Sequence, residues 1–294
     1  QSDELGLRYL RRANYDPRPM PDVFTMLGRL GDSQGGNQLP TWLATHPSSG
    51  SRAASINEQI AALPQDFAGT VVGGDSYLRR LDGLVFGMNP REGYFEGGLF
   101  LHPDMRFQVA FPEGWVTHNG RQAVVAGSPE QDAVIQLGPA SEASADAAAR
   151  AFLAQEGIQA GAPSRASLHG LTTVSAPFGA ETANGPLRGM VRFVEHGGAV
   201  FGLIGYAPEP RWQTRRAQVE QTLSSFQPLT DPQALGRQPQ RVEIIKLERR
   251  TTIEALARER HSAATPATLA LINQVDVQTP LEAGRLVKWI TDPR

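Results

Sequence analysis

Seven glycines, at positions 73, 74, 83, 87, 93, 97 and 98, fall between Thr70 and Phe100, and the hydrophobic rhythm of the chain differs on their two sides. Before them apolar residues recur at helical spacing; from Met105 onward they alternate. A helix presents the same face every 3.6 residues and a strand every second residue, so the two stretches cannot share one uniform architecture. The predicted class is therefore α+β: an N-terminal helical segment, a middle domain of sheet interrupted by helices and a small β-α-α-β C-terminal module. A chain of 294 residues suits two or three such units, each with its own core.

Leu5, Leu7, Tyr9 and Leu10 give a short amphipathic helix that Asn14-Tyr15-Asp16-Pro17 stops. Pro19 to Leu30 repeats the pattern, with Val23, Phe24, Met26, Leu27 and Leu30 as its expected buried stripe. A polar loop from Gly31 to Pro40 follows, and helical spacing resumes from Ser51 to Ala62. In the alternating region Phe107 to Phe111, Ala123 to Ala126, Ala133 to Leu137, Val191 to Val194 and Ala199 to Tyr206 read as strands, interrupted by helices over Ser144 to Gln155 and Trp212 to Phe226. Val242 to Ile245 and Arg285 to Ile290 read as strands flanking helices over Thr252 to Arg260 and Pro266 to Asn273. The resulting division is 1–65 helical, 66–104 a Gly-rich connector with short strands, 105–229 the middle domain, 230–240 a linker and 241–294 the last module.

Composition removes several functions. A formal charge of −2, from 28 basic and 30 acidic side chains, supplies no field to concentrate nucleic acid or anionic lipid. With no cysteine there are no disulfides, no cysteine zinc sites and no thiol catalysis. No run approaches the roughly eighteen apolar residues of a membrane span. The opening Gln1-Ser2-Asp3-Glu4 reads as a cut or processed start rather than a signal peptide. Histidines 102, 118, 169, 196 and 261 are scattered without metal-ligand spacing, and neither a G-x-S-x-G elbow nor a phosphate-cradling glycine pattern occurs. No catalytic residue is expected in this chain.

Three residues remain as site candidates. Taken alone, Asp3 with Glu4 at a helix start complements the helix dipole, and His46 before Pro47 is a hydrogen-bonded loop histidine. Arg52 pairs either with substrate or, as the better reading, with a carboxylate on a neighbouring helix. The strings Ser2-Asp3-Glu4-Leu5-Gly6-Leu7-Arg8-Tyr9-Leu10 and Ala13-Asn14-Tyr15-Asp16-Pro17 nevertheless resemble the helix that carries the third zinc ligand in HtpX-like and CAAX-prenyl-protease-like metallopeptidases, with the pattern Glu-x-x-x-Asp. Thr45-His46-Pro47 with downstream Arg52 is similar to a segment that follows that helix in bacterial members.

The resemblance implies that Asp3 is the Asp behind the metal, orienting a histidine ligand, and that the loop of His46 faces the metal cleft. The matching Glu would fall before Gln1, and no H-E-x-x-H is present. Zinc is thus expected in the complete protein and none in this chain alone, which is expected to be inactive.

Two further segments carry resemblances. Phe111-Pro112-Glu113-Gly114-Trp115 with Ser224-Ser225-Phe226 is similar to PsbP-like domains, and that resemblance implies an α/β sandwich middle domain with Trp115 as a core anchor. Leu256-Ala257, Leu269, Leu271-Ile272-Asn273 and Leu281 to Lys288 follow the order of LysM modules, whose strand-helix loops bind N-acetylglucosamine chains. Here Arg250-Thr251-Thr252 stands where those modules carry Gly-Asp-Thr, and no glycan-binding residue is assigned.

Together these readings make the chain the C-terminal portion of a bacterial zinc metalloendopeptidase in the periplasm or envelope, engaged in protein quality control. Its expected partners are protein or peptide substrates, with peptidoglycan or envelope proteins as further candidates. The alternative is a non-catalytic binding or scaffold protein that recognises peptidoglycan or a protein partner. An H-E-x-x-H helix upstream would discriminate between them.

Overall fold

In a computed structural model of the chain, residues 2–33, 49–63 and 67–292 are described. The fold is α+β, with two compact units: Met88–Pro239, and Gln1–Gly87 together with Gln240–Arg294.

Helix α1 (Ser2–Arg12) opens on Asp3 and Glu4 and closes on Arg11 and Arg12, so both ends oppose the helix dipole with the favourable sign. Asn14 adopts a left-handed φ of 59° and ends it. Helix α2 (Met20–Ser33) packs against α3 (Ser49–Ala61). Its apolar stripe is narrower than expected: Phe24 is buried, whereas Val23 and Leu30 are 45% and 36% exposed. Helical periodicity finds the apolar side of a helix but not how much of that side a neighbour covers. Helix α4 (Gly74–Arg80) completes the N-terminal part, within the stretch expected to be a connector.

From Met88 onward that stretch belongs to the second unit. A 3₁₀ turn (Pro90–Glu92) leads into β1 (Tyr94–Glu96) and β2 (Leu99–His102), which pair antiparallel, and β2 continues onto β3 (Phe107–Ala110). With β12 (Gln227–Pro228) on the far side of β3 these make a four-stranded sheet. The larger, eight-stranded sheet runs in the order β4 (Val116–Asn119), β5 (Val124–Gly127), β6 (Val134–Ala140), β11 (Ala199–Pro208), β10 (Gly185–His196), β9 (Leu171–Thr182), β7 (Ile158–Ala160), and β8 (Ser164–Leu168) pairs β9 off that path.

Alternation along β10 and β11 decides what covers each face of the large sheet. Phe201, Leu203, Ala207 and Val194 join a core with the small sheet and helix α6 (Glu209–Ser224). Val191, Phe193 and Val200 face helix α5 (Ala145–Leu153) through Ala145, Ala148 and Ala149. Both faces are therefore dry, which is why these strands are richly apolar. Gly205 admits α6 at close range: a Cβ there would stand 2.4 Å from Val219. Trp115 lies in the first core at 7% exposure, after a turn at Gly114 with φ of 77°. The stretch expected as a linker forms the short helix α7 (Pro232–Gly236), capped by Asp231, with Ala234 buried.

The last module is the anticipated β-α-α-β arrangement. Strands β13 (Arg241–Lys246) and β14 (Leu286–Thr291) pair antiparallel and enclose α8 (Ile253–Glu259) and α9 (Pro266–Ile272). Ile253, Leu269, Leu281, Val287, Trp289 and Ile290 form its core, and the Trp289 indole N–H donates to the His261 carbonyl at 2.9 Å.

This module does not stand apart from the N-terminal residues. Gly83 and Phe86 donate backbone hydrogen bonds to Val242 and Gln240, and Val242 donates back to Leu84, each at 2.8 Å. Residues 83–86 thus act as a third strand along the edge of β13, and Phe86 packs on the core. Helix α9 also packs on α2, with Arg29 and Asp276 3.5 Å apart. Residues 88–239 are accordingly an insertion between two adjacent points of one unit.

Candidate functional site

Asp3 and Arg52, 49 positions apart in sequence, meet where α1 and α3 converge. The Arg52 guanidinium donates through Nε to Asp3 Oδ2 at 2.8 Å and through Nη2 to Oδ1 at 2.6 Å. A planar fork meeting a planar carboxylate satisfies both groups at once, a geometry lysine could not supply. Arg52 also lies 4.3 Å from the centroid of the Phe24 ring on α2. Two side chains about a quarter exposed thereby connect three helices. The hydrogen bond that Arg52 donates to Asp3 raises the Arg52 pKa above its ordinary value, so the guanidinium is charged across the physiological range.

The Asp3 carboxylate is thus engaged with a guanidinium. His46, with Thr45 and Pro47, lies outside the described residues. Among the described residues no three His, Cys, Asp or Glu side chains converge as a metal site would require. Asp3 and Arg52 together offer one carboxylate and one cation, which do not fit a catalytic zinc centre, whose ligand set is three or four N, O or S donors. What the arrangement can do is hold helix geometry.

The terminal module presents its two strand-helix loops zipped together. Thr251 and Leu281 exchange both backbone hydrogen bonds, at 3.0 and 2.8 Å, while Gly284 donates to Leu247 at 2.7 Å and Arg250 pairs with Glu282 at 3.1 Å. The backbone N–H and C=O groups of Thr251 and Leu281 are thus spent on one another. Asn273, buried, stabilises the other edge of the module: its amide donates to the Leu269 and Lys288 carbonyls and its oxygen accepts from Lys288 N–H.

Residues 1–60 match the family model Peptidase family M48. That similarity covers the helices of the clamp. The chain is also 32% identical over 83 residues to mitochondrial metalloendopeptidase OMA1 of Arabidopsis thaliana, a stretch that spans 26% of this chain and 16% of that protein. An M48-like peptidase segment is thereby supported at the N-terminus. Zinc dependence is general in that family, whereas the described residues hold no metal-binding group.

Among solved structures, cyanobacterial PsbP from Synechocystis superposes with a TM-score of 0.36 at 14% identity, covering 45% of this chain and 93% of that one. LpqN of Mycobacterium tuberculosis, described as involved in cell envelope biogenesis, gives 0.31 at 14% identity, covering 42% and 83%. Among the described residues no helix is long and apolar enough to cross a membrane.

The sequence offered Arg52 a neighbouring carboxylate or a substrate, and the structure supplies Asp3. Sequence reasoning missed the Phe24 platform and the mutual closure of the two loops, since a loop's partner 30 residues away leaves no local signal.

Proposed function

We propose that the chain is the carboxy-terminal portion of a bacterial zinc metalloendopeptidase of the periplasm or envelope that acts on protein substrates in quality control. The observation that carries this reading is the M48 match over residues 1–60, supported by the similarity to a metalloendopeptidase. In this reading the first 65 residues complete a peptidase fold whose H-E-x-x-H helix lies elsewhere in the polypeptide. Asp3 and Arg52 hold α1 against α3, so that groups preceding α1 keep their register toward the metal. The loop of His46 borders the cleft, where a neutral imidazole could compete with water for an open metal position. The inserted domain and the terminal module position the enzyme and take no part in the chemistry.

Two assays test the proposal. The chain alone, equilibrated with zinc and desalted, should retain no equivalent of metal and leave casein intact; retained zinc with cleavage overturns the division of labour. In the complete polypeptide, Arg52→Ala should lower casein cleavage and zinc retention together. Unchanged values in both would reject a positioning role for the clamp.

A further inference from the structure

The inserted domain contains a cavity that the peptidase reading does not use. It has a volume of about 510 Å³ and opens between the two sheets, with Phe100 of β2, Phe107 of β3, Leu137 of β6 and Phe201 of β11 among its lining residues. Those four side chains belong to the main core, so the inner end of the cavity is dry, aromatic and held by long-range sheet pairing. A volume of this size suits a small organic molecule, for which a few polar groups at the mouth set orientation.

The mouth is built, not loose. Asn119 at the end of β4 donates through its amide to the carbonyls of Glu92 and Gly93 at 3.1 and 2.8 Å, fixing the β4–β5 turn to the 3₁₀ segment. His102 lines the cavity beside Phe107, their rings 5.3 Å apart. Its Nδ1 accepts the Met105 N–H at 3.2 Å, so the neutral ring carries its proton on Nε2 as a donor. Burial lowers the His102 pKa, with Asp104 opposing that shift and Arg91 reinforcing it, and keeps the ring neutral near pH 7.

The charges at the mouth sort themselves. Arg91 pairs with Asp104 and also donates to the Leu235 carbonyl, and the Glu92 carboxylate accepts from the Asn89 amide at 3.1 Å. Arg121 in the β4–β5 turn has no hydrogen bond or ion pair among the described residues. Of the lining side chains left without a hydrogen bond or ion pair, the Gln122 amide is neutral, with both a donor and an acceptor, and the Arg121 guanidinium is the free cation among the described lining residues, with the His102 Nε2–H a further donor.

From this geometry we infer that the inserted domain binds a small apolar carboxylic acid, its ring or alkyl chain between the sheets and its carboxylate at Arg121 and His102. The same chemistry is available from a free organic acid or from the C-terminal residue of a peptide. No bond is made or broken.

Isothermal titration of the full chain with 4-phenylbutyrate, its methyl ester and N-acetylphenylalanine tests the inference. Saturable binding of 4-phenylbutyrate is expected, weakened about tenfold or more in the ester and in Arg121→Ala, in line with loss of a charge-assisted hydrogen bond. Ala123→Trp, which places an indole in the lining, should abolish binding while the circular dichroism spectrum stays unchanged. N-acetylphenylalanine binding more tightly than 4-phenylbutyrate identifies the peptide C-terminus as the source, and the reverse a free acid. Equal affinity for acid and ester overturns carboxylate recognition, and absence of saturable binding by the folded wild-type chain overturns the site.

Discussion

The two units bury their apolar surface by different means. Residues 88–239 rely on length: strands β9, β10 and β11 run for 12, 12 and 10 residues, pair continuously, and are covered on both faces. The unit formed by the N-terminal helices and the terminal module relies on joints. Its helices have few fully buried side chains, and it is tied by the Asp3–Arg52 clamp, the Asn273 cap and the strand at 83–86. A continuous sheet spreads the consequence of a change over many neighbours. A jointed unit concentrates it.

That contrast can be broken by mutation. Trp289→Ala removes the largest fully buried side chain of the terminal module and should cost about 4 kcal/mol. In calorimetry one transition should fall sharply while a second stays in place; two transitions falling together would erase the distinction between the units. Asn273→Ala should cost about 2 to 3 kcal/mol in chemical denaturation, since it strips partners from Leu269 and from both backbone groups of Lys288. A loss under about 0.5 kcal/mol would show that water replaces the cap.

In the other unit, Gly205→Ala sets a methyl against Val219 and should destabilise by about 1 to 3 kcal/mol through overpacking, with the enlarging Val219 partner truncated to Ala restoring most of it. Failure of that rescue would place the conflict elsewhere. For the clamp, a double-mutant cycle of Asp3→Asn and Arg52→Met should give a coupling of about 1 kcal/mol, because the pair is bidentate yet partly exposed. A coupling indistinguishable from zero would reduce it to a surface contact.

The smallest effect concerns pH. Burial pushes the Asp132 carboxyl upward, but hydrogen bonds from Arg215 and Ser128 outweigh it and hold the group below the ordinary carboxylate range. A depressed folded value means that this stabilisation is present above the unfolded value, near 4, and is lost as pH falls through the folded one. Melting temperature should therefore decline below about pH 4 less steeply in Asp132→Asn than in the wild type. Parallel curves would assign the acid sensitivity to other carboxylates.

Much of the fold was legible because periodicity is a local property. The Ala-rich helix expected over Ser144 to Gln155 spans Ala145–Leu153, capped by Ser144, and the strands expected over Val242 to Ile245 and Arg285 to Ile290 form β13 and β14. Residues 94–102 were legible only in part: glycine spacing suggested a connector with short strands, and their place in a four-stranded sheet exists because β3 offers an edge. The same reason applies to residues 83–86, too short to be read as a strand until β13 presents its backbone. In the candidate site, Asp3 and Arg52 were visible as individual residues through their family setting, and their pairing was not.

The sequence by itself determined the classes of element, the change of rhythm near residue 105, the lack of cysteine chemistry and the M48-like character of the first 60 residues. These depend on residue type and near-neighbour spacing, which the chain carries without folding. Only the tertiary structure decided that Arg52 meets Asp3 over Phe24, that the loops at Thr251 and Leu281 close on one another, and that a cavity opens between the two sheets. Each joins residues 28 to more than 100 positions apart, and such partners are chosen by packing and by the need to satisfy buried backbone groups, on which local pattern is silent.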